Sequence, residues 1–419
     1  MNQDTLPYEN ALRIVLDAST RLSSEDCPTA ACLSRVLATP IISTVDLPPF
    51  DNSAMDGFAL RGDSIVHAGT ELPIEGEQAA GDGIARARAG AWEIMTGARV
   101  PDGLDRVIPI EQTERVSSDS VRLLADVTPG QNVRVAGSDV AHGEKVLEAG
   151  TVLQPQHLML LAALGVAKVP VGVRPRVAVI CTGRELVDNP AQTLAPGQIR
   201  NSNGPFLAAR LPLAGAEVVH VETVGDDAAA FEAALQRALN AGAKVIVTSG
   251  AVSMGHYDFV PQALERLGAQ TLFHKVAIRP GKPLLFARLP GDVLLFGLPG
   301  NPIAVAVGLR FFVEPALRVM LGLPPETPYR VPLSKPYSKK PRLRFHLKSH
   351  LHIDAQGRLA VEVLEGQESY RIRPLSDANA WAVVPADVDA LPAGALVDVH
   401  GVGHFEFPHP DFPLPGRAA

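Results

Sequence analysis

Three short apolar runs, at 176–181 (RVAVIC), 216–221 (AEVVHV) and 243–248 (AKVIVT), constrain the fold of this chain more than any other feature. Between and after them stand stretches of helical period, at 205–213, 228–239 and 259–267. Runs that are apolar at successive positions suit strands covered on both faces, so the alternation predicts βαβ units around a buried parallel sheet. Runs at 283–287 and 293–296 then predict a hairpin, and 303–321 one long helix.

The flanks read differently. An amphipathic helix is predicted at 10–19 and an apolar one at 156–164, with short strands broken by Gly and Pro between them. The pattern describes a mixed region over 1–173 carrying a β-rich insert at about 48–143. After Pro324 and Pro325 the chain becomes Pro-rich and strand-rich, at 345–352, 359–364, 381–384 and 395–399, which reads as a small β-barrel or sandwich. The expected fold class is therefore multidomain, α/β and β: a central α/β domain over 174–323 with a parallel-rich sheet, and a β domain over 324–419.

With 419 residues, 46% of them hydrophobic, the chain has material for several cores. A net charge of -7, with acids and bases interleaved, argues against a nucleic-acid surface. The run from Met1 to Asp4 has neither a positive n-region nor an apolar h-region, and no uncharged segment is long enough to span a bilayer. The expected compartment is the cytoplasm, with no membrane partner. Cys27, Cys32 and Cys181 are odd in number, lack zinc-type spacing and read as buried thiols.

In an open parallel sheet, ligands bind beyond the carboxyl ends of the strands. Those ends are followed by Thr182-Gly183-Arg184-Glu185, by Gly225-Asp226-Asp227 and by Ser249-Gly250-Ala251-Val252-Ser253-Met254-Gly255, all expected on one rim. The loop from Ser249 to Gly255 offers glycine for close backbone approach and hydroxyls as donors, as a phosphate requires and as a plain turn also contains. Arg279-Pro280-Gly281-Lys282, with Lys275 nearby, suits an anion or is a solvated hairpin cluster. If Glu185, Asp226 and Asp258 converge, they suit Mg²⁺ through oxygen ligands; otherwise Asp226 or Asp227 caps the helix at 228 and Asp258 the helix at 259. Pro299-Gly300-Asn301-Pro302 opens the last helix with rigid residues. Upstream, FDNSAMDGFA at 50–59 and IMTGARVP at 94–101 place polar groups on stiff segments, either as a shaped site or as Asx turns.

In order along the chain, FDNSAMDGFA, IMTGARVP, Asn132-Val133-Arg134 with Gly137-Ser138-Asp139, TGREL, GQIRNSN, TSGAVSMGHYD, RPGKP and GLPGNP resemble the molybdopterin molybdenumtransferase (MoeA) family, which includes the gephyrin E domain. The resemblance covers about residues 8–402. It implies a central domain of the molybdenum-cofactor-biosynthesis type, a discontinuous N-terminal linker and dimerisation region, and a C-terminal β-barrel, in an elongated subunit that forms a homodimer. The implied activity is that of a cytoplasmic transferase that takes adenylylated molybdopterin and molybdate, uses Mg²⁺, releases AMP and leaves molybdenum on the dithiolene. Transient contact with other molybdenum-cofactor enzymes is implied as well.

By the same resemblance, Asp56, Thr96, Arg134 and Asp139 match catalytic positions that the family places across the dimer cleft. Glu185, Asp226, Asp258, Lys275 and Lys282 match its pterin-domain site, the three acids as metal ligands. Thr182, Gly183, Ser202, Asn203, Ser249, Gly250, Ser253, Gly255, Arg279, Pro280, Gly281, Pro299, Gly300, Asn301 and Pro302 match pterin-binding positions. The chain departs from the pattern at Arg184, Asn201 and His256, where acids are usual, at Ser138 for the glutamate of GED, and at Ala251 for a glycine. Lost negative charge on one rim weakens a hard-cation site, so the alternative reading is a carrier that binds molybdopterin or the finished cofactor without inserting metal. The sequence does not distinguish molybdate from tungstate.

Overall fold

The structure, a computed structural model, describes residues 5–250, 260–340, 342–354, 356–406 and 410. The chain divides into two compact units, Asp26–Val171 and Met1–Glu25 with Gly172–Ala419.

In the larger unit the predicted alternation forms one six-stranded sheet. In chain order its strands are β1 (Arg176–Thr182), β2 (Glu217–Val224), β3 (Val245–Ser249), β4 (Gln270–His274), β5 (Leu285–Leu289) and β6 (Val293–Leu298), arranged β2-β1-β3-β6-β5-β4. The first four in that order run parallel, and β5 and β4 extend the sheet antiparallel. Alternate residues of each strand enter different cores. Val177, Val179, Cys181, Val245, Val247, Leu294 and Phe296 face one core, while Ala178, Ile180, Ile246 and Leu295 face the other.

Helices cover both faces: α1 (Tyr8–Ala18), α2 (Asn203–Leu213), α3 (Ala228–Asn240), α4 (Val260–Arg266), α5 (Pro302–Gly308) and α6 (Glu314–Leu321). Tyr8, Ala11, Val15 and Ala18, spaced for one helical stripe, bury α1 in the first core, and Phe231, Ala234, Leu235 and Ala238 bury α3 in the second. The single helix predicted over 303–321 is instead α5, a π-helical turn at Leu309–Val313, and α6. The cause is Pro315, which has no N–H to give the Phe311 carbonyl four residues back. That carbonyl takes the Tyr8 hydroxyl at 3.5 Å.

The C-terminal part of this unit pairs five strands antiparallel, in the order Tyr329–Pro332, Leu396–Gly401, Ala380–Val384, Arg344–Ile353 and Leu359–Val363. A bridge from Leu333 to Val361 joins the two ends, with the Ser334 N–H donating to the Val361 carbonyl at 2.9 Å, so the ring closes around Val331, Leu347, Val361, Ala382 and Val399.

The smaller unit contains the predicted β-rich insert. Its six-stranded sheet runs Arg106–Pro109, Gly57–Leu60, Ala91–Ile94, Glu71–Gln78, Ser120–Leu123 and Thr113–Ser117. A separate core gathers Cys27, Cys32, Leu37, Leu153, Leu161 and Val169 under the helix Pro155–Ala163. All three cysteines are buried and free. Among the described residues no helix is long and apolar enough to cross a membrane.

Candidate functional site

Register brings three strand ends together in the larger unit. Cys181 of β1 lies beside Ser249 of β3, which lies beside Leu298 of β6. Thr182, buried at the end of β1, donates its hydroxyl to the Ser249 carbonyl at 3.2 Å, and the Gly250 N–H donates to the Leu298 carbonyl at 3.0 Å. Gly250 has φ +97°, and a Cβ there would lie 2.4 Å from the Thr182 carbonyl oxygen, so only glycine permits this approach. Asn203, in the first turn of α2, donates Nδ2 to the Gly300 carbonyl at 2.8 Å and reaches Ser249 Oγ at 3.4 Å. Thr182, Asn203, Ser249, Gly250 and Gly300 are thus brought together at these strand ends. Ser202 stands at the α2 N-cap without a side-chain cap bond, and Asn301 does the same for α5, whose first residue is Pro302 and whose approach is the buried Pro299.

Two of the three predicted metal carboxylates border this rim. A Cβ on Gly183 would lie 2.7 Å from Glu185 Oε1, and Gly183 N–H donates to the Val224 carbonyl at 3.1 Å. Asp226 Oδ2 accepts the Arg184 N–H at 3.3 Å. The helix-capping alternative falls to its neighbour: Asp227 Oδ1 accepts the Ala230 N–H at 2.7 Å and caps α3. Asp226 is left at the rim. Ser253, Gly255, His256 and Asp258 lie outside the described residues, as does Ala251. Among the described residues no three His, Cys, Asp or Glu side chains gather as a metal cluster. Glu185 and Asp226 bring hard oxygen donors to the ends of the neighbouring strands β1 and β2, which fits a divalent cation in chemistry.

The cationic turn is assembled from distant chain segments. Lys275, with φ 85°, donates its N–H to the Leu284 carbonyl at 2.9 Å and accepts the Leu6 N–H at 3.1 Å; the Val276 N–H closes the turn onto the Lys282 carbonyl at 2.9 Å. Ile278–Arg279 pairs parallel with Arg344 and Phe345 of the C-terminal ring, and the Arg279 guanidinium stands 5.4 Å from the Phe345 ring centre. Gly281 is buried, and a Cβ there would come 3.7 Å from the Ala304 carbonyl, so the Pro280-Gly281 step packs on the first turn of α5. Lys282 and Arg279 are exposed. Among the described residues no ion pair joins Lys275, Arg279 or Lys282 to Glu185 or Asp226, so the two charge sets occupy separate loops.

Motif reading did not single out Asp188 or Thr223, although both bond to Asn201 just below the rim. The Asp188-Asn189-Pro190 turn was the available signal.

The smaller unit ties the N-terminal motifs into one ribbon. Asn52 and Ser53 pair antiparallel with Arg134 and Val133, the Ser53 N–H donates to the Ala98 carbonyl at 3.0 Å, and the Gly97 N–H donates to the Ser53 carbonyl at 2.8 Å. Asp56 Oδ1 accepts the Thr96 N–H at 2.6 Å and the Thr96 hydroxyl at 2.7 Å, and these two bonds, the backbone one first, lower its carboxyl pKa. Asp139 N–H donates to the Leu47 carbonyl at 2.9 Å. Asp56, Thr96, Arg134, Ser138 and Asp139 all present exposed side chains.

Comparison with known proteins gives matches along nearly the whole chain. Family models match as MoeA N-terminal region (domain I and II) over residues 6–165, probable molybdopterin binding domain over 178–319, and MoeA C-terminal region (domain IV) over 330–402. The molybdopterin molybdenumtransferase of Synechococcus elongatus is 38% identical over 95% of this chain and 100% of its own length. Molybdopterin molybdenumtransferase 2 of Mycobacterium tuberculosis is 37% identical over 92% and 97%. The crystal structure of the molybdopterin biosynthesis moeA protein from Pyrococcus horikoshii OT3 superposes with a TM-score of 0.79 at 29% identity, covering 94% of this chain and 99% of that one. The rim from Thr182 to Pro302 falls inside the span matched by the molybdopterin-binding model.

Proposed function

This chain belongs to the molybdopterin molybdenumtransferase family, a family of transferases in molybdenum cofactor biosynthesis, and we propose that it inserts molybdate into adenylylated molybdopterin with Mg²⁺-dependent release of AMP. The observation that carries this reading is the convergence of three strand ends at Thr182, Ser249-Gly250 and Gly300, bordered by Glu185 and Asp226.

In this reading the pterin lies on the glycine-lined rim, where Gly250 and Gly300 admit close backbone approach and Asn203 ties their two strand ends together. Lys275, Arg279 and Lys282 offset the negative charge of the phosphate groups, and the stiff turn holds those cations in place before the substrate arrives. Glu185 and Asp226, with Asp258, would hold Mg²⁺, which when bound supplies positive charge to the phosphate oxygens. Molybdate is a substrate, not a resident group. A second copy of the chain is the partner in this reading, its Asp56, Thr96, Arg134 and Asp139 serving the pterin site across a homodimer. The cytoplasm is the compartment proposed.

The test mixes purified chain with adenylylated molybdopterin, Mg²⁺ and molybdate and follows AMP together with metal-loaded cofactor. Coupled appearance of both is the expected result. Tight pterin binding without AMP release would replace the transferase reading with that of a carrier.

A further inference from the structure

Asn201 is 8% exposed, and every hydrogen-bonding group of its amide is used. Its Nδ2 donates to Asp188 Oδ1 at 2.9 Å and to Thr223 Oγ1 at 3.0 Å, and its Oδ1 accepts the Gly204 N–H at 3.0 Å. Thr223 Oγ1 in turn donates to Asp188 Oδ1 at 2.9 Å, closing a triangle. The orientation of the amide follows from its partners, since the Gly204 N–H requires the oxygen and the Asp188 carboxylate requires the NH₂. Each partner sits on a different element at the rim: Asp188 on the loop after Leu186–Val187, Thr223 near the end of β2, and Gly204 in the first turn of α2. Asp188 follows Glu185 by three residues, Thr223 precedes Asp226 by three, and Gly204 adjoins Asn203 in the first turn of α2.

We infer that Asn201 is a positioning residue that holds the loops of Glu185, Asp226 and Asn203 in mutual register, and that it must be an amide because Asp188 supplies the negative member of the triangle. The inference rests on the site reading proposed above. A carboxylate at 201 would lose both N–H donors and stand within hydrogen-bond distance of Asp188. Two carboxylates that close share a proton rather than both ionising. The titratable groups facing residue 201 are Asp188 and the Cys181 thiol, whose pKa is raised by burial. Exchanging the pair restores the balance of donors and acceptors: a carboxylate at 201 still accepts the Gly204 N–H, and an amide at 188 donates where it formerly accepted.

The experiment compares wild type, Asn201→Asp, Asp188→Asn and the double variant for AMP release, with kcat and KM separated, and for thermal midpoint, both across pH. Displaced loops should cost Asn201→Asp between ~10-fold and ~100-fold in kcat. The sign of the pH effect is fixed by the shared proton. Sharing raises the pair's pKa in the folded state, so the variant keeps its stability at low pH and loses it as pH rises through the raised pKa. The double variant should recover turnover to within about threefold, since it restores the triangle. A wild-type pH profile in Asn201→Asp, or a double variant as impaired as the single one, would overturn the inference. Should Asn201→Asp not fold, the double variant decides: folding and turnover support the triangle, and failure of both refutes it. If wild type itself releases no AMP, the transferase reading fails, and the thermal midpoints alone decide the role of Asn201.

Discussion

Replacing Gly250 with alanine tests the packing on which the rim depends. The residue has φ +97°, and an added Cβ would sit 2.4 Å from the Thr182 carbonyl oxygen and 2.6 Å from its Oγ1. Left-handed backbone costs a side-chain-bearing residue roughly 1–2 kcal/mol. Forcing a methyl group into filled space adds roughly 1–3 kcal/mol, because Thr182 is fixed by strand pairing with Val224 on one side and by its hydroxyl bond to the Ser249 carbonyl on the other. The sum is about 2–5 kcal/mol, a substantial part of the roughly 5–15 kcal/mol by which a typical domain stays folded. Gly291 is the internal control. It lies in the β5–β6 turn of the same sheet at φ +79°, with nothing within 4 Å of an added Cβ, so Gly291→Ala should cost only the backbone part, roughly 1–2 kcal/mol. Urea unfolding of both variants, compared at unchanged slope, separates the two contributions. Equal losses in the two variants would refute the claim that the strand ends exclude a side chain.

Three further outcomes follow from the geometry. Asp227→Ala should lower stability by about 1 kcal/mol through loss of the α3 cap while leaving AMP release intact, whereas Asp226→Ala should do the reverse; matching phenotypes would contradict the division between them. Burial raises the Glu314 pKa to about 7 from 4.5, against the lowering influence of Arg310 and Arg210, so its contribution to stability is fullest below the unfolded value and declines as pH rises through about 7. Glu314→Gln should flatten that decline, which thermal midpoints across pH would read directly. Thr96→Val keeps the backbone bond to Asp56 but removes the hydroxyl, so Asp56 should titrate higher than in wild type in a carboxyl-carbon NMR titration, and an unmoved titration would count against the pairing.

The central sheet was legible because its signal is local. Each apolar run became a strand within a few residues of its predicted bounds, and the helical stretches became α2, α3 and α4. The long helix runs without a gap from 302 to 321 but widens to a π-helical turn ahead of Pro315, whose missing N–H leaves the Phe311 carbonyl to a substitute donor on α1. That donor is about three hundred residues away in sequence, beyond the reach of any periodicity. The choice between Asp226 and Asp227 as the helix cap was equally closed to sequence, since both suit the position and only backbone direction decides. Asn201 reads as a lost charge in the motif. In the fold the charge stands at Asp188, thirteen residues earlier, and the two positions meet only because two short strands, Leu186–Val187 and Ile199–Arg200, pair in parallel.

The cationic turn also has a history within each round of synthesis. Its backbone is held by Leu6 on one side and by Arg344 and Phe345 on the other, with the Arg344 N–H donating to the Ala277 carbonyl at 2.9 Å. Strands β1 to β6 are complete by residue 298, so the sheet can form on the ribosome well before the last clamp emerges. The cationic turn is therefore the latest part of the rim to mature, and a nascent chain halted before residue 344 should show protease cleavage within 275–282 that the finished protein resists.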